Sequence, residues 1–95
     1  MDLSFEWDPR KAAENRQKHG IAFEDALLVF GDPLACIFDD PDHSATELRE
    51  LIVGHCNRQR LLLVSFVQRG DRIRILSARK ATRQERKDYE EGTGS

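Results

Sequence analysis

The stretch Arg72-Ile73-Arg74-Ile75-Leu76-Ser77-Ala78-Arg79-Lys80-Ala81-Thr82-Arg83-Gln84-Glu85-Arg86-Lys87-Asp88-Tyr89 begins as one kind of structure and ends as another. Arg72, Ile73, Arg74 and Ile75 alternate polar and apolar, the period-2 pattern of a strand with one wet and one buried face. Thr82-Arg83-Gln84-Glu85 has the form of a capping box, with Thr82 accepting from an early helix N–H and Glu85 reaching back to the cap. A strand over 72–78 therefore hands over to a helix from Arg83 to about Glu91, and Arg79, Lys80 and Arg83 crowd the joint. A helix N-terminus attracts anions through its free N–H groups and its dipole, so this joint reads as a phosphate site.

Upstream, residues 50–56 and 61–67 read as two more strands, joined by the hairpin-length Asn57-Arg58-Gln59-Arg60. Leu61-Leu62-Leu63-Val64 is apolar on both faces, which places that strand in the middle of a sheet. Arg69-Gly70-Asp71 turns into the 72–78 strand, and residues 34–38 form a short first strand. Short connections imply antiparallel neighbours. Phe23, Ala26, Leu27 and Phe30 fall at i, i+3, i+4 and i+7 of an amphipathic helix that Gly31-Asp32-Pro33 ends. An earlier helix starts at Asp8-Pro9 and stops at Gly20. Its only apolar residues are Ala12 and Ala13, so Phe5 and Trp7 before it are the better packing anchors. The expectation is a single α+β domain over residues 1–91: two N-terminal helices, a four-stranded antiparallel sheet and a C-terminal helix. Residues 92–95 are expected to fray.

With 95 residues and 39% hydrophobic content, the chain can fill one core and not two. No apolar run approaches the roughly 20 residues that span a bilayer. The acidic start, Met1-Asp2-Leu3-Ser4-Phe5-Glu6-Trp7, lacks a signal peptide's basic and apolar blocks, so a cytoplasmic location is expected. Cys36 and Cys56 suit small buried thiols better than a disulfide framework. Asp39-Asp40-Pro41-Asp42-His43 gathers carboxylates and a histidine, but without regular ligand spacing. It reads as a solvated loop, and neither metal nor cofactor is expected.

The net charge of −2 conceals an asymmetry. Up to Asn57 there are 5 basic and 12 acidic side chains; from Arg58 to Lys87 there are 10 basic and 2 acidic. A basic half on an acidic protein suits a surface that meets a polyanion. The same charges spread around the molecule would select nothing.

Phe5-Glu6-Trp7-Asp8, Lys18-His19-Gly20 followed by Phe23-Glu24-Asp25-Ala26, Val29-Phe30-Gly31-Asp32-Pro33, Arg74-Ile75-Leu76-Ser77-Ala78-Arg79-Lys80-Ala81, Glu85 and Tyr89 form a set of motifs. In this order the set resembles the BrnT family. The resemblance covers the chain to about Tyr89, with motif order and spacing kept. It implies a RelE-like fold and a ribonuclease toxin of a bacterial type II toxin–antitoxin system that cleaves RNA and stops translation. It also implies a BrnA-type antitoxin with a ribbon-helix-helix DNA-binding domain, and binding of operator DNA by the complex. One departure is Ala22, where a Ser or Thr often caps the second helix.

Metal-free RNA cleavage needs a group to take the 2′-OH proton, positive charge on the crowded phosphate, and a donor to the leaving 5′-oxygen. Arginine forks match phosphate oxygens, which makes Arg74 and Arg79 the first candidates. Strict strand alternation would put Arg79 on the opposite face from Arg72 and Arg74; a bulge near Ser77-Ala78 would restore it. Histidine titrates near neutrality, so His55 and His19 are candidates for proton transfer. Each also has a structural reading, His55 as a strand histidine and His19 as a helix C-terminal cation. Tyr89 is either core or a hydroxyl reaching the site, and Glu85 is explained by the capping box. The expected catalytic set is Arg79, Arg74, His55 and Tyr89, with Lys18, His19, Lys80, Arg83 and Arg72 binding RNA. The competing readings are a nucleic-acid-binding module without catalysis and a subunit that only binds an antitoxin.

Overall fold

The computed structural model describes residues 3–40 and 48–94. The Asp39–His43 loop reading falls mostly outside these residues. The elements run β1 (Ser4–Glu6), α1 (Pro9–His19), α2 (Phe23–Val29), β2 (Cys36–Asp39), β3 (Arg49–Asn57), β4 (Arg60–Arg69), β5 (Arg72–Lys80) and α3 (Arg83–Gly94). All five strands form one sheet in the order β1-β5-β4-β3-β2. The apolar β4 is the central strand, as its sequence requires.

The expected four-stranded antiparallel sheet of a RelE-like fold is corrected in one respect. Ser4, Phe5 and Glu6 form a fifth strand, and it runs parallel to β5, pairing Ser4 with Arg72 and Glu6 with Arg74. The sheet is therefore mixed. A three-residue strand paired across most of the chain has no turn beside it to announce it, and Phe5 shows only its apolar side. The α+β class stands. Helix α3 continues to Gly94, past the expected end near Glu91.

Local chemistry sets the helix ends. Asp8 accepts from the Arg10 N–H at 2.8 Å, and Gly20 closes α1 at φ 71°, donating to the Arg16 carbonyl at 2.9 Å. Ala22 caps α2 without a side-chain bond. At α3 the capping box is complete: the Glu85 N–H donates to Thr82 Oγ1 at 3.1 Å, and the Thr82 N–H donates to Glu85 Oε1 at 2.8 Å.

The sheet has two unlike faces. The first lies under α1 and α2, where Phe23, Ala26 and Val29 pack on Leu62, Val64, Phe66 and Ile75, all buried. Trp7 meets Phe23 edge-on at 5.9 Å, so its role here is packing. The second face carries α3, whose Tyr89 packs with Val53, Leu61 and Leu63. Cys56 belongs to the first face and Cys36 to the second, and both are free thiols.

Two side chains finish the sheet where its short edge strands stop. Beyond β1, Asn15 of α1 acts as a strand partner: its Nδ2 donates to the Ala78 carbonyl at 2.8 Å and its Oδ1 accepts the Ala78 N–H at 3.0 Å. The same Nδ2 donates to the Ile21 carbonyl at 2.9 Å. Beyond β2, Asp32 accepts the His55 N–H at 2.8 Å. Backbone groups at a sheet edge need partners once water is excluded. This is why a surface helix with so little apolar content docks at all.

Candidate nucleic-acid interface

The register of β5 decides which basic residues share a face. Ser77 pairs with Ser65 and Ile75 with Phe66, so Leu76 is an extra residue, a β-bulge. Side chains alternate, and one inserted residue reverses the alternation. Arg72 and Arg74 before the bulge and Arg79 after it consequently lie on the second face. The bulge on which the return of Arg79 to this face depended sits at Leu76, next to Ser77-Ala78. Lys80 pairs with Leu62, a first-face residue, and so points away from Arg79. Arg83 opens α3 and is exposed.

Sharing a face does not bring the arginines together. Arg74 and Arg79 are four strand steps apart once the bulge is removed, roughly 13 Å. Each is held by its own carboxylate. Arg74 Nη1 donates to Glu6 Oε2 at 2.8 Å, with Arg72 3.6 Å from the other oxygen. The parallel β1 pairing puts Glu6 there. Arg79 forks onto Glu85 with bonds of 2.8 and 2.9 Å and also donates to the Lys80 carbonyl. Glu85 thus closes both the helix cap and the guanidinium that was to clamp a phosphate. The guanidinium holds its carboxyl below the ordinary range.

His55 and Tyr89 do meet. Their rings are 5.2 Å apart, and His55 Nδ1 lies 3.2 Å from the Tyr89 oxygen. Tyr89 donates to Asp32 Oδ2 at 2.8 Å, so its oxygen is free to accept from a proton on Nδ1. That tautomer, inferred from hydrogen-bond roles, leaves Nε2 for proton transfer. Asp32 is the hub: besides Tyr89 it accepts the N–H groups of His55 at 2.8 Å and Leu34 at 2.9 Å. Burial pushes its carboxyl up, but these three donors outweigh burial and leave it below its ordinary value. Burial and Asp32 push the Tyr89 hydroxyl from 10.0 up to about 12. Glu85 and Tyr89, one turn apart on α3, therefore anchor that helix to Arg79 and to the Asp32–His55 pair.

These shifts predict how stability depends on pH. The lowered Asp32 and Glu85 values contribute above their ordinary values of 3.8 and 4.5, and that contribution is lost as pH falls through the lowered ones. The raised Tyr89 value contributes below 10.0 and is lost as pH rises towards about 12. Urea unfolding across pH should show both losses, and Tyr89→Phe should remove the alkaline one.

A groove of about 270 Å³ opens between α1 and the second face. Its walls are Lys11, Glu14, Asn15, Lys18 and His19 of α1, and its floor is Arg49 of β3, Ser65 of β4, and Leu76 and Ser77 of β5. Lys18 and His19 were expected from the sequence. Arg49, Ser65 and Ser77 have no local signature and are joined only by strand register: Ser65 lies opposite Ser77, and Val67 lies between Arg49 and Arg74.

Fold and surface together define a small α+β protein with a basic sheet face suited to a polyanion. Residues 7–85 match the sequence profile described as the ribonuclease toxin, BrnT, of a type II toxin–antitoxin system. The chain belongs to the BrnT family of ribonuclease toxins. The crystal structure of the Brucella abortus ribonuclease toxin BrnT is similar, with a TM-score of 0.68 at 24% identity, covering 85% of this chain and 99% of that one. No curated protein sequence matches the chain. Among the described residues no helix is long and apolar enough to cross a membrane, and no cluster of three potential metal ligands occurs.

Proposed function

We propose that this chain is a metal-independent endoribonuclease that acts in the cytoplasm and stops translation by cutting RNA. In this reading a BrnA-type antitoxin with a ribbon-helix-helix domain neutralises it, and the complex represses its own operon through operator DNA. The observation that carries the RNA surface is the bulge at Leu76, which gathers Arg72, Arg74 and Arg79 on the face that also bears His55 and Tyr89. Family membership supplies the substrate class.

The proposed chemistry is transesterification. The 2′-oxygen attacks phosphorus, its proton passes to His55 Nε2, and the bond to the 5′-oxygen breaks as solvent water gives that oxygen a proton. The products are a 2′,3′-cyclic phosphate and a 5′-hydroxyl. Arg79 and Arg74 offset charge on the phosphate, Tyr89 orients the His55 ring, and Lys18, His19, Arg83 and Arg72 hold flanking RNA, while Lys80, on the first face, is left off this surface. A phosphate taking the fork of Arg79 must displace Glu85, whereas Arg74 gives Glu6 one N–H bond and, although paired, has further donors to offer.

The occupied Arg79 fork and the Arg74–Glu6 pair also favour a second reading, a surface that binds nucleic acid without cutting it. End-mapping of RNA treated with antitoxin-free protein in EDTA separates the two. Cyclic phosphate ends formed without metal are expected. Salt-sensitive binding with intact RNA would sink the nuclease reading.

A further inference from the structure

We infer that the groove between α1 and the second sheet face is a phosphate subsite that holds one backbone phosphate of an RNA strand beside the cleavage point. The inference rests on the ribonuclease reading and assigns to that surface a place where the strand is gripped.

The first support is the state of the cations. Arg60, Arg72, Arg74 and Arg79 each face a carboxylate. Among the described residues, none of Lys11, Lys18 and Arg49 is held in an ion pair, although all three line one concavity. Among the described residues Glu14 alone in the lining carries the opposite charge, so an anion entering the groove displaces none of the described ion pairs.

The second support is the floor. Ser65 is 8% exposed and lines the groove. Ser77 stands directly opposite on β5, which puts the two β-carbons ~5 Å apart. Two hydroxyl donors at that spacing converge on the oxygens of a single phosphate, with Arg49 behind them. Hydroxyls that line the groove are placed to donate to the oxygens of an entering phosphate. The donors sit on three hydrogen-bonded strands, so the floor is rigid while the lysines above adapt.

The lining also says what the groove does not read. It has no aromatic ring other than the His19 imidazole, hence no platform on which a base can stack. Recognition here is of backbone, not of base. Ser77 is two residues from Arg79, ~7 Å along β5, so a strand gripped in the groove passes on towards that arginine.

The test uses the full chain and oligodeoxythymidine, which cannot be cut because it lacks the 2′-hydroxyl. Amide shifts in an NMR titration should centre on Arg49, Ser65, Leu76, Ser77 and Lys18. Arg49→Ala should weaken binding five- to tenfold and lower the salt slope by about 0.7, the value for one phosphate contact on a single strand. Lys18→Ala, on an exposed helix face, should do the same and guards against a folding defect in the Arg49 variant. Replacing thymine by cytosine should leave the affinity unchanged. Shifts confined to other surfaces, or both variants within twofold of the parent, would overturn the subsite. If the parent protein cuts RNA while the titration misses the groove, the subsite fails and the nuclease reading survives. If the groove binds but RNA stays intact in every condition, the subsite stands and the nuclease reading falls.

Discussion

Replacing Asp32 with alanine is expected to destabilise the protein by about 3–4 kcal/mol, a large share of the roughly 5–15 kcal/mol that holds a domain together. The side chain is 9% exposed and accepts three hydrogen bonds, from the Leu34 and His55 N–H groups and from the Tyr89 hydroxyl. Each donor left without an acceptor away from water costs about 1–3 kcal/mol, and the hydrogen bonds to a carboxylate are the stronger kind. The loss should appear as a lower urea midpoint with an unchanged slope. Asp32→Asn keeps one acceptor oxygen and should fall between. Because Asp32 and Tyr89 touch, Asp32→Ala and Tyr89→Phe should be clearly non-additive. A loss below about 0.5 kcal/mol, the usual scale of a surface substitution, would show that Asp32 is not the hub.

Replacing Arg79 with alanine is expected to lower RNA cleavage by about 10²–10³-fold and to abolish growth arrest on expression. Arg79 has a competing structural role, since its fork onto Glu85 latches α3 to the sheet. Glu85→Gln separates the two roles. Glutamine preserves the capping box and weakens the latch, so it frees Arg79 instead of removing it. If Arg79 touches the phosphate, Arg79→Ala loses activity while Glu85→Gln retains or gains it. Equal losses in both variants, matched by equal losses in stability, would assign Arg79 to the latch alone. Arg74→Ala with Glu6→Gln offers the same comparison at the other end of β5, where no helix cap is involved.

The local elements were legible in the residues because their causes are local. Asp8-Pro9, Gly20, and the Thr82–Glu85 box act within a turn or two of their own positions, and the apolar run of β4 needs no partner to reveal its central place. The bulge was suggested by a chemical demand, that Arg79 rejoin Arg74, and it lies at Leu76. The fifth strand escaped because three residues before a helix start carry too little pattern to announce a parallel pairing with a strand so distant in sequence. Asp32 escaped for a related reason. Gly31-Asp32-Pro33 is fully accounted for as a helix stop, and nothing nearby reveals that its carboxylate waits for His55 and Tyr89.

The amino-acid sequence by itself determined the α+β class, the capped helices, the central β4 and the presence of a basic C-terminal half. It also carried the motifs by which the family is known. Only the tertiary structure decided which charges are free. Arg74 and Arg79, the most conspicuous in the sequence, are paired with Glu6 and Glu85, whereas Arg49, with no motif around it, lines the groove with Ser65 and Ser77 and has no ion pair among the described residues. The physical reason is that a charge is spent or left available according to what strand register and helix docking set beside it, and those neighbours come from every part of the chain.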